Sequence, residues 1–220
     1  MNMFDEVSTL QILGWFGYLI CLFVLFKKLP ARQIIEDKKV QHLVFGSTAC
    51  VIGLWLFRTG IHDGLHVHFL WLTALCLTLG LRWALVSATL ALLSLTIIGK
   101  DSWAMFGING LFGVVVPLAL TYLIYTLSFH RLPKHFLVYV FICAFLPGGL
   151  MIAVKMALLG SYYYFDNIYS WEIVKDNYLI LIQLLAFPEA MFNGMTMVML
   201  IIYKPHWVYT FYDKFYIQDK

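Results

Sequence analysis

Charge is what this sequence has least of. Only 12% of its residues are Asp, Glu, Lys or Arg, against roughly a quarter in a soluble domain, too few to coat a surface that faces water. With 62% of the 220 residues apolar or aromatic and a mean hydropathy of +0.82, that surface is expected to face lipid. Chemistry-bearing motifs are missing too. No GxxxxGK[ST] phosphate loop, HExxH pair or GxSxG elbow occurs, which excludes ATP hydrolysis by this chain and the familiar hydrolase sites, so a non-enzymatic protein is expected. The four cysteines, Cys21, Cys50, Cys76 and Cys143, stand singly inside apolar runs with no CxxC pair. They read as small buried hydrophobes, not a disulfide or zinc framework. No repeat, low-complexity tract or flexible linker appears. One transmembrane domain over 1–220 follows, with 204–220 as an aromatic and basic cytoplasmic tail. The formal charge of +3 fits membrane orientation, and no nucleic-acid partner is expected.

A helix rising 1.5 Å per residue needs about 20 mostly apolar residues to cross a hydrocarbon layer of roughly 30 Å. Five stretches approach that length: 10–26, 41–57, 103–129, 136–160 and 178–203. A sixth, 67–99, is interrupted by Gly80-Leu81-Arg82-Trp83 and reads as two short helices joined by a tight turn at Arg82. The expected fold is therefore an all-α, polytopic bundle of about seven transmembrane helices. Neither short helix spans the layer alone, so one end of the pair is expected below the surface, sheltered by other helices, where a polar recess can open.

Basic residues set the direction. With the amino terminus outside, the inner side receives Lys27, Lys28, Arg32, Lys38, Lys39, Arg82, Arg131, Lys134, Lys204, Lys214 and Lys220, and the outer side only Arg58, Lys100 and Lys175. This excess predicts an outside amino terminus and an inside carboxyl terminus. The first run follows Asp5 and Glu6 and precedes KKLPAR, so it reads as a retained helix rather than a cleaved signal. The segment 161–177 mixes Tyr and Trp with acids and is expected along the outer interface, whereas the tail is expected on the inner interface or on a partner.

Two constellations carry candidate chemistry. His62, Asp63, His66 and His68 fall within seven residues on an outer loop with Gly60 and Gly64; imidazole ligates Co²⁺, Ni²⁺, Cu²⁺ and Zn²⁺. The other is Phe187-Pro-Glu-Ala-Met-Phe-Asn-Gly194, where Glu189 lies near mid-membrane and needs a partner or a proton, and Asn193 shares its helix face. Lys155 and Asn109, near the outer ends of their spans, are candidates for the same cavity. A Lys155–Glu189 pair or an Asn–Glu hydrogen bond that only fixes helix register is the structural alternative. Met191, Met195 and Met199 form a stripe that reads as packing before a soft-metal path.

The segments Gly60 to Leu75, Phe106-Gly-Ile-Asn-Gly110 and Phe187 to Gly194 resemble the membrane substrate-capture subunits of energy-coupling-factor transporters for cobalt and nickel, the CbiM-type permeases, and more closely their proteobacterial branch. The resemblance runs from about Gly60 to Trp207. It implies a bacterial inner-membrane, multi-pass permease subunit that takes cobalt or nickel as substrate, with copper or zinc as further candidates and no bound organic cofactor. An ATPase and a coupling membrane subunit would be its partners beside the lipid. By the same resemblance His68 matches the family's helix-opening histidine ligand and Asn109 its polar position on the fifth span. Asn2 stands where the family has a second-position histidine, so that amino-terminal chelate does not carry over, and His62 and His66 are the local imidazoles able to replace it. The rival expectation is a non-enzymatic accessory or assembly subunit that docks to a larger membrane complex through its aromatic loops and tail.

Overall fold

The structure is a computed structural model that describes residues 7–29 and 31–211. The Met1-Asn2-Met3 start and the tail beyond Phe211, with Lys214 and Lys220, lie outside the described residues. The helices are α1 (Thr9–Phe26), α2 (Ala31–Glu36), α3 (Lys38–Leu56), α4 (Leu72–Ile97), α5 (Phe106–Arg131), α6 (Phe136–Phe165) and α7 (Trp171–Tyr203). All except the short α2 are long and apolar enough to cross a membrane, which makes six candidate spans among the described residues. This is the expected polytopic helical bundle. Polar starts set two boundaries: Ser8 caps α1 in a reciprocal box with Gln11, and Asp37 accepts from the Lys39 amide to begin α3.

The element that decides the topology is α4, which leaves helical geometry at Gly80, φ 74° and ψ 162°. Partners along it show that the chain reverses there. Residues 72–79 run from the level of Glu189, which accepts the Trp71 amide, to the level of Tyr209, whose amide donates to the Thr78 carbonyl. Residues 81–97 then return from Arg82, bonded to the Lys28 carbonyl, past Ser87 beside Thr48 and Thr89 beside Tyr18. They end near Asp101, which pairs with Arg58. The turn falls on Gly80, two residues before Arg82, because that backbone conformation is open essentially to glycine alone. The two halves of α4 raise six span-length elements to seven helical segments, with the described chain ends at opposite ends of the bundle, as the basic-residue distribution requires.

The first half of α4 is wholly buried. A helix of about 12 Å in such a place leaves backbone groups that neither water nor its own ladder can satisfy. Its carboxyl end is completed by the residues after α7. Thr210 donates its amide and its hydroxyl to the Leu77 carbonyl, at 3.2 and 2.7 Å. The Tyr139 hydroxyl lies 2.6 Å from the Thr210 hydroxyl, and the Tyr125 hydroxyl donates to the Thr210 carbonyl. Val208, Thr210 and Phe211 are accordingly buried. Residues 208–211 thus form a packed cap on this chain.

Two further features add to the expected bundle. α6 continues to Phe165 and α7 begins at Trp171, so most of 161–177 is helical. Tyr162 and Tyr163 point into the core while Tyr164, Phe165 and Trp171 stay exposed. The backbone also widens into π turns at Leu111–Val115 and Tyr139–Phe145. Each precedes a proline, Pro117 or Pro147, whose missing N–H interrupts the regular ladder. Close approach of α1 to α5 rests on Gly107, where a Cβ would come within 2.4 Å of the Trp15 amide nitrogen.

Replacement of Gly80 by Ala is expected to cost about 1–3 kcal/mol from backbone strain alone, with a further clash because the new Cβ would sit 2.9 Å from the Tyr209 ring. Thermal unfolding in detergent, followed by intrinsic fluorescence, should show a melting temperature several degrees below wild type.

Candidate functional site

The loop between α3 and α4 dips into the bundle. Thr59 and Val67 exchange amide and carbonyl hydrogen bonds at 3.1 and 2.8 Å, which closes 60–66 into a compact flap. Leu65, Val67 and Leu70 are buried beneath it. Alternate residues of an extended segment face opposite ways. His66 and His68 flank the buried Val67 and therefore share the other face.

That face closes a recess of about 40 Å³ lined by Trp55, Arg58, His66, His68, Asp101, Asn109, Gly113 and Lys155, among others. That volume suits an ion with a water or two, whereas organic ligands need about 300 Å³ or more. Arg58 pairs with Asp101 at 2.8 Å, with side chains 11% and 17% exposed, and also donates to the Lys100 carbonyl. This ties the flap to the turn after α4. Asn109 precedes the π turn Leu111–Val115, so the widened backbone begins beside the recess.

His68 is held from three sides. Its ring lies 5.3 Å from that of Trp55. Nδ1 is 3.0 Å from the Phe69 carbonyl and Nε2 is 2.7 Å from Lys155 Nζ. A carbonyl only accepts, so Nδ1 carries the proton and the lone pair of Nε2 faces the ammonium. Burial first, then the charge of Lys155, holds the imidazole well below its usual pKa, so the ring stays neutral at pH 7.

The remaining candidates go elsewhere. His62 packs its ring 5.5 Å from Tyr169, and the Asp63 carbonyl accepts from the Tyr169 hydroxyl at 2.8 Å; neither lines the recess. The turn at Gly64 separates them from His66 and His68. Among the described residues no three His, Cys, Asp or Glu side chains converge into a metal cluster, so the four loop residues are not gathered as a set. Glu189 and Asn193 also lie outside the recess lining. The Glu189 carboxylate accepts from the Leu70 amide at 2.9 Å, the Trp71 amide at 2.7 Å and Asn193 Nδ2 at 2.8 Å. Asn193 Oδ1 accepts from the Ala74 amide at 2.8 Å. Together they supply the amino-terminal cap that Trp71, with φ 55° and no side-chain cap, cannot give α4. The Asn–Glu bond foreseen as the structural alternative is present; no Lys155–Glu189 ion pair forms within 4.0 Å among the described residues. Met191, Met195 and Met199 are exposed on the outside of α7.

Sequence reasoning passed over Arg58, Asp101 and Trp55 as site residues. The signal was present for the first two: one Arg and one Asp at the helix ends that border neighbouring outer loops, in a chain with few charges, are natural partners.

Fold and recess together define a multi-pass helical membrane protein with an ion-sized pocket beneath a loop at its outer end. The profile of the family described as CbiM, cobalt uptake substrate-specific transmembrane region, matches residues 8–207, and the chain belongs to that family. Its fold is similar to a crystal structure described as a transition metal transporter, with TM-score 0.75 and 18% identity over 91% of this chain and 92% of that one. A structure described as a truncated transition metal transporter is similar with TM-score 0.73 and 19% identity, over 87% and 92% of the two chains. No curated protein sequence matches.

Two outcomes follow from this geometry. Replacing Glu189 by Ala strips the acceptors from two buried amides and should cost about 2–5 kcal/mol, read as lost thermal stability. His68 has a folded pKa below its unfolded value near 6.5, so its contribution is present above that value and is lost as pH falls through it. The melting temperature of metal-free protein should therefore drop between pH 7 and pH 5, and drop less in His68→Gln.

Proposed function

We propose that this chain is the membrane substrate-capture subunit of an energy-coupling-factor-type transporter for a divalent transition metal, cobalt or nickel, in the bacterial inner membrane. The observation that carries the reading is an ion-sized recess, in a member of the cobalt-uptake family, faced by the unprotonated Nε2 of His68. Cobalt and nickel are borderline ions that favour imidazole over water, and a neutral ring needs no deprotonation to bind them.

In this reading the metal enters beneath the 57–71 loop and takes His68 Nε2 as a ligand, with His66 and Asn109 as further donors around the recess. Trp55 and the Phe69 carbonyl fix the ring and its tautomer, as outer-shell groups do at metal sites. Glu189 and Asn193 position the ligand at one remove: they hold the Leu70 and Trp71 amides and the start of α4, and so fix where His68 emerges. The chain carries no ATP-hydrolysing motif, so an ATPase and a coupling membrane subunit supply the work and this subunit performs no catalysis.

Isothermal titration of the purified protein with Co²⁺, Ni²⁺, Cu²⁺ and Zn²⁺ tests the capture step. Micromolar or tighter binding of Co²⁺ or Ni²⁺, weakened at least tenfold in His68→Ala, is expected; equal millimolar binding by both proteins would remove the proposal. Copurification in mild detergent should bring down an ATPase and a second membrane subunit. A respiratory or metal-insertion complex in their place would favour an accessory role.

A further inference from the structure

Lys155 is the odd member of the recess. It lies on α6, is 7% exposed, and among the described residues has no carboxylate within 4.0 Å. An ammonium withdrawn from water is costly unless something takes its charge and its protons. Here the partner is a lone pair: Nζ lies 2.7 Å from His68 Nε2, while the other ring nitrogen is committed to the Phe69 carbonyl. The atom that would bind a metal therefore already faces a cation. A divalent ion and an ammonium cannot share one nitrogen lone pair, and a recess of about 40 Å³ gives them no room to stand far apart.

The stem of the side chain runs past a glycine of α5. Gly113 of α5 faces the stem without a side chain, and even a Cβ there would meet Lys155 Cε only at ordinary van der Waals distance, 3.8 Å. Asp101 lines the same recess and offers a carboxylate to a displaced ammonium. Arg58 already occupies one of its oxygens, and a carboxylate accepts from more than one donor.

We propose that the Lys155 ammonium is a built-in placeholder, filling the metal position on His68 Nε2 while the recess is empty and giving way when a divalent metal arrives. This rests on the reading that His68 takes the metal. The placeholder keeps a neutral imidazole oriented without cargo and weakens metal binding by the competition it imposes. Ions with little preference for nitrogen ligands are turned away, and loaded metal is easier to release. Lys155 is thus a residue that sets affinity and selectivity rather than a ligand.

The test compares wild type, Lys155→Met, which keeps the length of the stem without its charge, and Lys155→Arg, which keeps the charge, by competition titration with Co²⁺ and Ni²⁺. Lys155→Met should bind at least tenfold tighter than wild type, Lys155→Arg no tighter, and His68→Ala should abolish the gain in the Met background. Lys155→Gln, small and neutral, is expected to show the same gain and serves if the Met variant does not fold. Equal or weaker binding by the neutral variants, while wild type still binds through His68, would overturn the placeholder and leave capture standing. Absence of His68-dependent binding in wild type and in the neutral variants alike would overturn both.

Discussion

A helix of eight residues, 72–79, lies wholly inside the bundle, and the rest of the structure is arranged around satisfying its ends. In hydrocarbon an unpaired amide or carbonyl has no water to fall back on. Glu189 and Asn193 of α7 receive the amides at one end, and Tyr209 and Thr210 supply donors at the other. Both sets belong to the last fifth of the sequence, so the chain closes on its own middle. The carboxylate meets the positive end of the helix dipole, which explains how a charge-bearing side chain is held at that depth.

The proposed function depends on this closure because the loop that carries His68 enters the same helix start. The Leu70 and Trp71 amides rest on Glu189, and Trp55 donates to the Leu70 carbonyl. Two residues earlier His68 has little freedom left. Its ring is neutral and its Nδ1 is occupied, so a single lone pair is presented to a recess large enough for an ion and too small for an organic substrate. A mid-membrane acid and an outer histidine, unrelated by distance along the chain, are one device: the acid fixes the backbone from which the imidazole points.

Much of the fold was legible in the sequence because the hydrocarbon layer imposes length and composition on every span, and the loops carry their basic residues asymmetrically. The reversal inside 67–99 was visible as a break; its position was not, since Arg82 marks the polar inner end while Gly80 supplies the permitted dihedral angles. Glu189 announced itself by depth, yet its task needed the partners, which lie more than a hundred residues away. The capping role of residues 208–211 was hidden for the same reason. His66 and His68 were separable from His62 and Asp63 in principle, because the alternation His-Val-His around a buried valine puts two imidazoles on one side and the turn at Gly64 turns the others away. Counting four close residues as one cluster ignored that alternation.

Capture of the transported metal rests, in the proposed reading, on His68 Nε2. X-ray absorption at the cobalt or nickel edge, on protein loaded with one equivalent, tests it most directly. Multiple-scattering features of imidazole are expected in wild type and should be lost or clearly reduced in His68→Ala. A coordination shell of oxygen alone, or an imidazole signal unchanged by that substitution, would contradict it.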